Sequence, residues 1–331
     1  MRGCIRTTVH HGLVASTASS PPDDAQTVAT LRCEEAVDGV FACTRKDRQI
    51  SRAGTPYLTI GLSDNTGAIL ARAFRDADVL AGRFERGELV RVRGRVERFR
   101  EELQIEVHTI ARADGVAADP TRFLPVAYRD LDELEGFLEH LADEVYDPGL
   151  KALLARLLGD GELRAEIRRA PCSVPRSPTA PPGAGSMVRP QSGHHAYLGG
   201  LLEHTVAVST MALELCVLHP RLDRDLLLSA AIVHDLGKTR EFTYGAAIGR
   251  SDEGRLLGHI ELGLRVLAEH VPPSLQPERR LALEHCVLLH HGAEAAAGQR
   301  FGSPEALTLH RLNALDAHVK SAFEQGVAGA G

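Results

Sequence analysis

The first part of the chain alternates apolar and polar positions in short runs, which is the pattern of half-buried β-strands. The runs that predict strands occupy residues 57–62, 68–74, 88–96 and 103–110. The turn sequence Asp64-Asn-Thr-Gly67 joins the first two runs into a hairpin, and a short helix is predicted over 76–81. Strands, a small helix and further strands in this order match an OB barrel. We therefore predict an OB-type β-barrel over residues 28–115.

Beyond residue 116 the apolar positions recur every three or four residues, which predicts amphipathic helices. A first group of helices is predicted over 116–170 and is interpreted as a helical linker. Six prolines, together with glycines and serines, occupy residues 171–193 and predict an exposed loop. Helical periodicity then returns, and we predict an all-helical domain over 194–325. The fold class is thus a multi-domain α and β chain, with a β-barrel followed by helices.

Composition narrows the class of protein. The 331 residues are 44% hydrophobic and 25% charged, which is typical of globular chains. We find no apolar run long enough to span a bilayer, and we expect a cytoplasmic protein without a membrane partner. Six cysteines are scattered without a C-x-x-C pair, so we predict free thiols in a reducing compartment. A disulfide framework or a thiolate zinc site is not expected.

Charge and the N-terminal segment add two further expectations. Residues 1–27 are polar and contain no acidic residue before Asp23. We predict a disordered tail; a weak transit peptide and a start site placed too early are the alternatives. The formal net charge of −6 excludes a basic surface over the whole chain. Any nucleic-acid affinity of the predicted barrel must therefore come from a local arrangement of residues.

Imidazole side chains are concentrated in the predicted helical domain, where 12 of the 16 histidines fall between residues 194 and 318. A single histidine on an apolar helix face is most often a hydrogen-bonded core residue. An aspartate on such a face is harder to explain, because a buried carboxylate needs a partner or a metal ion. The residues on these faces are His204, His234 with Asp235, His259, His290 with His291, and Asp316. Nitrogen and oxygen ligands without thiolates favour Mn, Fe, Mg or Zn, so we predict a divalent metal site.

One lysine stands beside these residues, in the sequence His234-Asp-Leu-Gly-Lys238. The chain has 34 arginines but only four lysines, which makes this position notable. Lys238 is interpreted either as a chance surface residue or as a mobile ammonium that contacts a phosphate. Gly237 occupies the position expected of a C-terminal helix cap.

The order of these histidines and aspartates resembles the HD superfamily of metal-dependent phosphohydrolases. The flanking sequences resemble more closely the YhaM-type 3′-to-5′ exoribonucleases, which carry an OB domain before an HD domain. The segments that carry this resemblance are 57–67, 194–205, 234–239, 257–260, 289–292 and 315–317. The resemblance extends over about residues 28–323. In that family the linker helices run quickly into the His-His motif, whereas here the proline-rich stretch 171–193 intervenes.

Carried over residue by residue, the resemblance implies one or two metal ions. The core ligands that it implies are His204, His234, Asp235 and Asp316. The histidines that it assigns to a second ion are His259 and His290. Asp235 would therefore be both a ligand and a catalytic residue.

The resemblance also implies residues that contact the substrate. Lys238 would lie next to the scissile phosphate as a second catalytic residue. His291 would bind metal or phosphate. His194 and His195 would contact the substrate near its entrance.

The predicted barrel has a basic strand that could hold single-stranded nucleic acid. Three arginines fall on one side of this strand: Arg91, Arg93 and Arg95. The run continues with Phe99 between Arg98 and Arg100. The aromatic residues available for base stacking are Tyr57, Phe41 and Phe74. The alternative is a solvated arginine face balanced by Glu97, Glu101 and Glu102.

These expectations combine into a metal-dependent 3′-to-5′ exonuclease that acts on single-stranded RNA, with single-stranded DNA as a further candidate substrate. An activated water would attack the phosphodiester. Two alternatives stay open from the residues alone. One is an HD phosphohydrolase of small nucleotides. The other is a non-catalytic nucleic-acid-binding protein with a vestigial HD site.

Overall fold

A β-barrel and a helical domain follow each other along the chain in the computed structural model. The structure describes residues 26–51, 53–113, 119–175, 193–293 and 300–325. Most of the predicted N-terminal tail lies outside these residues, and so does the central part of the predicted proline-rich loop. At the described edge of that loop, Pro171 and Cys172 are buried.

Five strands close into a barrel in the order β1-β2-β3-β5-β4. The strands are β1 (Ala36–Ile50), β2 (Pro56–Asp64), β3 (Gly67–Ala73), β4 (Leu89–Phe99) and β5 (Glu102–Arg112). The short helix α1 (Ala77–Ala81) lies between β3 and β4 in the chain. Strands β3 and β5 pair in parallel, and the other neighbours pair antiparallel. This architecture confirms the predicted OB barrel and the hairpin predicted around Asp64–Gly67, and the two later predicted runs pair with each other as β4 and β5.

The sequence pattern did not predict the long strand β1, and the pairing of this strand explains why. Residues 36–42 pair with β4, whereas residues 42–50 pair with β2, and the register shifts between Cys43 and Arg45. The shift breaks the alternation of buried and exposed positions that the sequence pattern depends on. Phe41 lies on this strand and is fully buried in the barrel core. Its predicted availability for base stacking is therefore wrong.

The helical domain begins with three helices before the proline-rich stretch: α2 (Leu131–Asp143), α3 (Pro148–Gly159) and α4 (Gly161–Arg169). The later elements are α5 (Gly200–Leu218), α6 (Arg224–Val233), α7 (Lys238–Glu241), β6 (Phe242–Tyr244), β7 (Ile248–Arg250), α8 (Asp252–Leu256), α9 (Gly258–His270), α10 (Pro277–Leu289) and α11 (Pro304–Gln325). Helices α2–α4 share one hydrophobic core with the later helices. The helical pattern did not predict the hairpin of β6 and β7.

Helix α5 has the length and apolarity of a membrane span among the described residues, with a mean hydropathy of 1.5. The expectation that no segment meets these two criteria was therefore wrong for this helix. More than half of it (56%) is buried inside the folded protein, where Leu202 and Val208 pack in the shared core. Its apolarity follows from this central position.

Arg279 on α10 ties together the N-terminal ends of two other helices. Its Nε donates to Asp147 Oδ2 at 2.9 Å, and its Nη2 donates to Asp223 Oδ1 at 3.3 Å. Asp147 caps α3 and Asp223 caps α6 by accepting backbone N–H groups. Partial burial favours the neutral acid, but the hydrogen bond from Arg279 holds the pKa of Asp223 below its ordinary value.

We expect Arg279→Ala to lower the free energy of unfolding by about 1–2 kcal/mol near pH 7, because two caps lose a charged partner that is partly exposed to solvent. A carboxylate with a lowered pKa stabilises the fold above its unfolded pKa of about 4 and loses that contribution as the pH falls. The deficit of the variant should therefore shrink in acid. Urea unfolding at pH 7 and near pH 3.5 measures both effects.

The control is Arg265→Ala, which removes an exposed ion pair to Glu261 at the same 2.9 Å distance within α9. Its effect should stay below about 0.5 kcal/mol. Equal losses of unfolding free energy in the two variants would mean that the contact of Arg279 with two helix caps stabilises the protein no more than an exposed ion pair does.

Candidate metal centre

The ends and inner faces of five helices bring all the predicted metal-binding residues together. His204 lies in the second turn of α5, and His234 with Asp235 follows the last turn of α6. His259 begins α9, His290 with His291 follows α10, and Asp316 lies on α11. Four of these residues are at most 1% exposed: His204, His234, Asp235 and His290. The helical spacing in the sequence thus identified the residues that come together.

A first group of ligand atoms consists of His204, His234 and Asp235. The Nε2 atoms of the two histidines lie 3.2 Å apart, and each is 3.4 Å from Asp235 Oδ2. His234 Nδ1 donates to the carbonyl oxygen of Ala231 at 2.8 Å. A carbonyl only accepts, so the proton is on Nδ1 and the lone pair of Nε2 faces the group.

A second group lies on the other oxygen of the same carboxylate. Asp235 Oδ1 is 3.4 Å from His290 Nε2 and 3.6 Å from His259 Nε2, and His259 Nε2 is 2.9 Å from His291 Nε2. His290 Nδ1 donates to the Val287 carbonyl at 2.6 Å, which again leaves a lone pair on Nε2. One carboxylate therefore stands between two sets of histidines.

Two buried atoms at the centre have no hydrogen-bond partner: Asp235 Oδ1 and His290 Nε2. Both are acceptors in this arrangement, so neither satisfies the other across 3.4 Å. A buried acceptor without a donor is costly, and a cation between such acceptors removes that cost. The residues present therefore fit a divalent metal ion bound by nitrogen and oxygen.

The electrostatic environment keeps these groups in their ligand forms. Burial lowers the pKa of both His204 and His290 to about 4, so their imidazoles are neutral at pH 7. Burial opposes ionisation of Asp235, but the nearby Lys238 ammonium and His234 hold its pKa well below the ordinary value. Neutral imidazoles and an ionised carboxylate are the states that bind metal ions.

Lys238 is part of this centre and is only 5% exposed. Its Nζ lies 2.7 Å from Asp235 Oδ2 and donates to Cys172 Sγ at 3.2 Å. The interpretation as a chance surface lysine is therefore wrong. Its ammonium is held in an ion pair, which restricts the mobility that the sequence analysis expected.

Asp316 contacts the ring nitrogen of His204 that faces away from His234. Asp316 Oδ2 is 2.6 Å from His204 Nδ1 and 3.0 Å from His195 Nε2. Its described contacts are thus hydrogen bonds to two histidines, and its predicted ligation of a metal ion stays a prediction. These bonds hold the pKa of Asp316 below its ordinary value although burial opposes this.

Comparisons with known proteins match both halves of this arrangement. An HD domain model matches residues 201–319, and a model described as an OB-fold nucleic acid binding domain matches residues 43–111. The 3′-5′ exoribonuclease YhaM of Shouchella clausii (strain KSM-K16) is 30% identical over 300 residues, which are 87% of this chain and 85% of that protein. The chain belongs to the YhaM family. YhaM of Bacillus subtilis (strain 168) is 28% identical over 293 residues, which are 86% of this chain and 85% of that protein.

Membership of the YhaM family confirms the predicted resemblance, the order of an OB domain before an HD domain, and the class of hydrolytic nuclease. It does not test the individual site residues. His194 and His195 illustrate this, because both are buried, at 5% and 1% exposure. Their predicted contact with substrate stays a prediction, and it would have to occur inside the domain.

His195 joins a buried hydrogen-bond chain behind Asp316. Its Nδ1 lies 2.9 Å from the Tyr197 hydroxyl, which itself donates to Glu203. Burial alone would lower the pKa of His195, but its hydrogen bonds to Asp316 and Glu203 raise it above the ordinary value. A protonated His195 donates from both ring nitrogens, which orients Asp316.

Three residues of the centre were missed or misread from the sequence. Glu241 is 3% exposed, and its Oε2 accepts from His259 Nδ1 at 3.1 Å. Cys172 lies beside Lys238, although it is distant from it in the chain. Gly237 does not adopt the left-handed cap conformation that was predicted, since its φ is −63°. It is required for close packing instead, because a Cβ there would lie 1.9 Å from the His259 carbonyl oxygen.

On the YhaM-type OB barrel, the predicted arginine face is exposed but partly neutralised. Arg91 and Arg93 both donate to Asp38, at 2.8 and 2.9 Å, and Arg95 lies 3.9 Å from Glu34. These partners differ from the glutamates that the sequence analysis considered. The carboxylates that accept these bonds, Asp38 and Glu34, lie on or next to β1, a strand that the sequence pattern did not predict.

The aromatic residues of the barrel form two separate places for stacking. Tyr57 stacks on Phe74 with ring centroids 5.7 Å apart. Phe99 is 43% exposed, and the Arg72 guanidinium lies 4.8 Å from its ring centroid. Phe99 and Arg72 line an open groove of about 570 Å³ across β2, β3 and β5. The sequence marked Phe99 only as an aromatic residue between two arginines.

Proposed function

We propose that this protein is a metal-dependent 3′-to-5′ exoribonuclease that degrades single-stranded RNA in the cytoplasm. The observation that carries the proposal is Asp235, whose two buried oxygens each face a set of histidines. Relatives named 3′-5′ exoribonuclease YhaM, aligned over most of their length, support the reaction and its direction. Single-stranded DNA is a second candidate substrate, because an OB barrel accepts either strand type.

The residues that would hold metal ions follow from the two groups. His204, His234 and Asp235 Oδ2 would hold one ion. The second set would use Asp235 Oδ1 with His259, His290 and His291. When bound, divalent ions such as Mn, Fe, Mg or Zn supply an activated water and offset charge on the phosphoryl oxygens.

The chain's own residues make this centre rigid before substrate arrives. The Lys238 ammonium keeps Asp235 ionised and places a positive charge beside the position of a phosphate. Glu241 orients His259, and the carbonyls of Ala231 and Val287 orient His234 and His290. Such outer partners determine which ring nitrogen is free to bind a metal ion.

A small pocket of about 50 Å³ is lined by His194, Lys238, His290, His291 and Asn313, among other residues. Lys238 and two histidines of the second group therefore border the same space, in which a phosphate would be held.

The proposed strand-binding surface is the outer face of the barrel. In the strand register, Leu70 lies opposite Gln104, and Gln104 lies opposite Glu97. The exposed positions of β4 lead from Phe99, which lines the groove, to the arginines at 91, 93 and 95. Stacking and basic side chains on one face are the combination that binds single strands.

The activity is tested with chelator-treated protein and single-stranded RNA labelled at its 5′ end. With added Mn²⁺ we expect a descending ladder of labelled products and release of mononucleotides. Chelator alone should remove the activity, and 3′-terminal phosphorylation or blocking should slow it. Intact RNA together with hydrolysis of free nucleotides would favour the small-nucleotide alternative, and binding without any cleavage would favour a vestigial site.

Phe99→Ala should weaken RNA binding by about 5- to 100-fold, because one stacked base contributes about 1–3 kcal/mol. The affinity is measured by fluorescence anisotropy with a labelled single-stranded RNA. The matched control is Phe137→Ala on α2, since Phe137 is also 43% exposed and also lies under an arginine, Arg129, at 5.8 Å.

The variant Arg91→Ala/Arg93→Ala/Arg95→Ala tests the arginine face at the same time. It should weaken binding and reduce its dependence on salt, but hydrolysis of a generic phosphodiester should persist. Wild-type affinity in Phe99→Ala, combined with a large loss in the arginine variant, would move the binding surface away from the groove.

A further inference from the structure

A cysteine and two histidines form a third group of ligand atoms beside the centre. Cys172 Sγ and one ring nitrogen each of His194 and His204 lie within 4.8 Å of one another, and all three residues are buried. The two described edges of the proline-rich stretch produce this group. Cys172 N donates to the His195 carbonyl at 3.0 Å, and Ser173 Oγ donates to the His194 carbonyl at 2.7 Å.

One member of this group, His194, has a buried ring nitrogen that makes no hydrogen bond. His194 is 5% exposed, and its Nδ1 is buried without a hydrogen-bond partner. A buried imidazole with an unpartnered ring nitrogen next to a thiol is a ready ligand for a cation.

We propose that Cys172, His194 and His204 form a second type of metal site that selects thiophilic cations such as Zn²⁺ or Cd²⁺. Sulfur is the ligand that distinguishes this site, because the neighbouring groups offer only nitrogen and oxygen. In a tetrahedral zinc site the ligand atoms lie roughly 3.5 Å apart, so small side-chain adjustments close this group around an ion. The thiol proton leaves to solvent as the sulfur–metal bond forms.

The shared histidine gives the site an inhibitory effect, and this part rests on the proposed function. His204 also belongs to the group with His234 and Asp235, and one ring nitrogen binds one ion. Cys172 Sγ accepts from Lys238 Nζ at 3.2 Å and lies 3.8 Å from Asp235 Oδ2. A thiophilic ion would therefore take His204 from the catalytic group and displace Lys238 from the sulfur. We expect it to inhibit the enzyme in competition with its activating metal.

The test uses full-length protein treated with chelator and titrated with Cd²⁺, whose bond to a thiolate gives an ultraviolet charge-transfer absorption. Wild-type protein should develop this absorption for one buried thiolate beyond any signal from Cys33, which is exposed, and from Cys4, which lies outside the described residues. Cys172→Ser and Cys172→Ala should lose it. His194→Ala should weaken Cd²⁺ binding by about tenfold or more, since even an outer partner of a ligand has that effect.

The matched control is Cys286→Ser. Cys286 is also buried, and burial raises the pKa of its thiol to about 12, as it does for Cys172. This variant should keep the absorption. Thermal unfolding of each variant confirms that it is folded. Absorption that persists in both Cys172 variants, or wild-type Cd²⁺ affinity in His194→Ala, would overturn the site.

Inhibition is measured separately, as the Cd²⁺ concentration that halves hydrolysis of RNA in the presence of Mn²⁺. Cys172→Ala should raise this concentration at least tenfold relative to its own uninhibited rate. An intact charge-transfer result without any RNA hydrolysis would refute the proposed function but not the site. Equal inhibition of wild type and Cys172→Ala would refute the inhibitory effect.

Discussion

Asp235→Asn will lower the rate of RNA hydrolysis by about 10³-fold or more and leave the affinity for RNA within about threefold. The Asp235 carboxylate stands between both groups of histidines. The neutral amide of asparagine therefore weakens metal binding by both groups at once. In the proposed function the barrel holds the RNA, and the substitution changes nothing there. Hydrolysis is followed with end-labelled RNA under saturating metal, and affinity is followed by fluorescence anisotropy.

The substitution also leaves the buried ammonium of Lys238 without its partner, which we expect to reduce the free energy of unfolding by about 3 kcal/mol. The assays should therefore be run well below the melting temperature. Asp252→Asn is the control, because Asp252 lies on α8 with 83% of its side chain exposed. An Asp235→Asn enzyme with the wild-type rate would rule out the metal centre described above.

Gly237→Ala is expected to cost about 3 kcal/mol or more of unfolding free energy and most of the activity. The added Cβ would lie 1.9 Å from the His259 carbonyl oxygen and 2.5 Å from the Gly263 backbone nitrogen. Both contacts are with backbone, so α7 and α9 must separate. His259 would then move away from Asp235. Thermal and urea unfolding measure the stability, and the RNA assay measures the rate.

Gly136→Ala is the matched control on α2, because nothing lies within 4 Å of a Cβ at that exposed helical position. It should stabilise the protein by about 0.5–1 kcal/mol, since alanine favours helix more than glycine does. A Gly237→Ala protein that is as stable as wild type would show that α7 and α9 do not pack closely.

The metal centre shows what helical periodicity can predict and what it cannot. The six residues predicted to bind metal converge, together with His291, because each lies on a helix face or end that must face the core. Which atoms meet was not predictable. The split of Asp235 between two groups depends on how four helices pack, and the contact of Asp316 with His204 Nδ1 depends on a ring orientation.

The barrel shows a similar limit. The hairpins were predictable, because strands that alternate around a short turn pair with each other locally. β1 was not, because its two halves pair with strands on either side of it and its register shifts between them. Phe41 lies before that shift, on the half of β1 that pairs with β4, and it faces the core.

The sequence by itself determined the two-domain order, the hairpins, the helical faces and the set of candidate ligands, since all of these follow from local spacing. Only the tertiary structure decided which pairs form across the chain. It placed Cys172 against Lys238, Glu241 against His259 and Phe99 under Arg72. Contacts of this kind join residues on different elements, and their distances are set by packing, which no local pattern encodes.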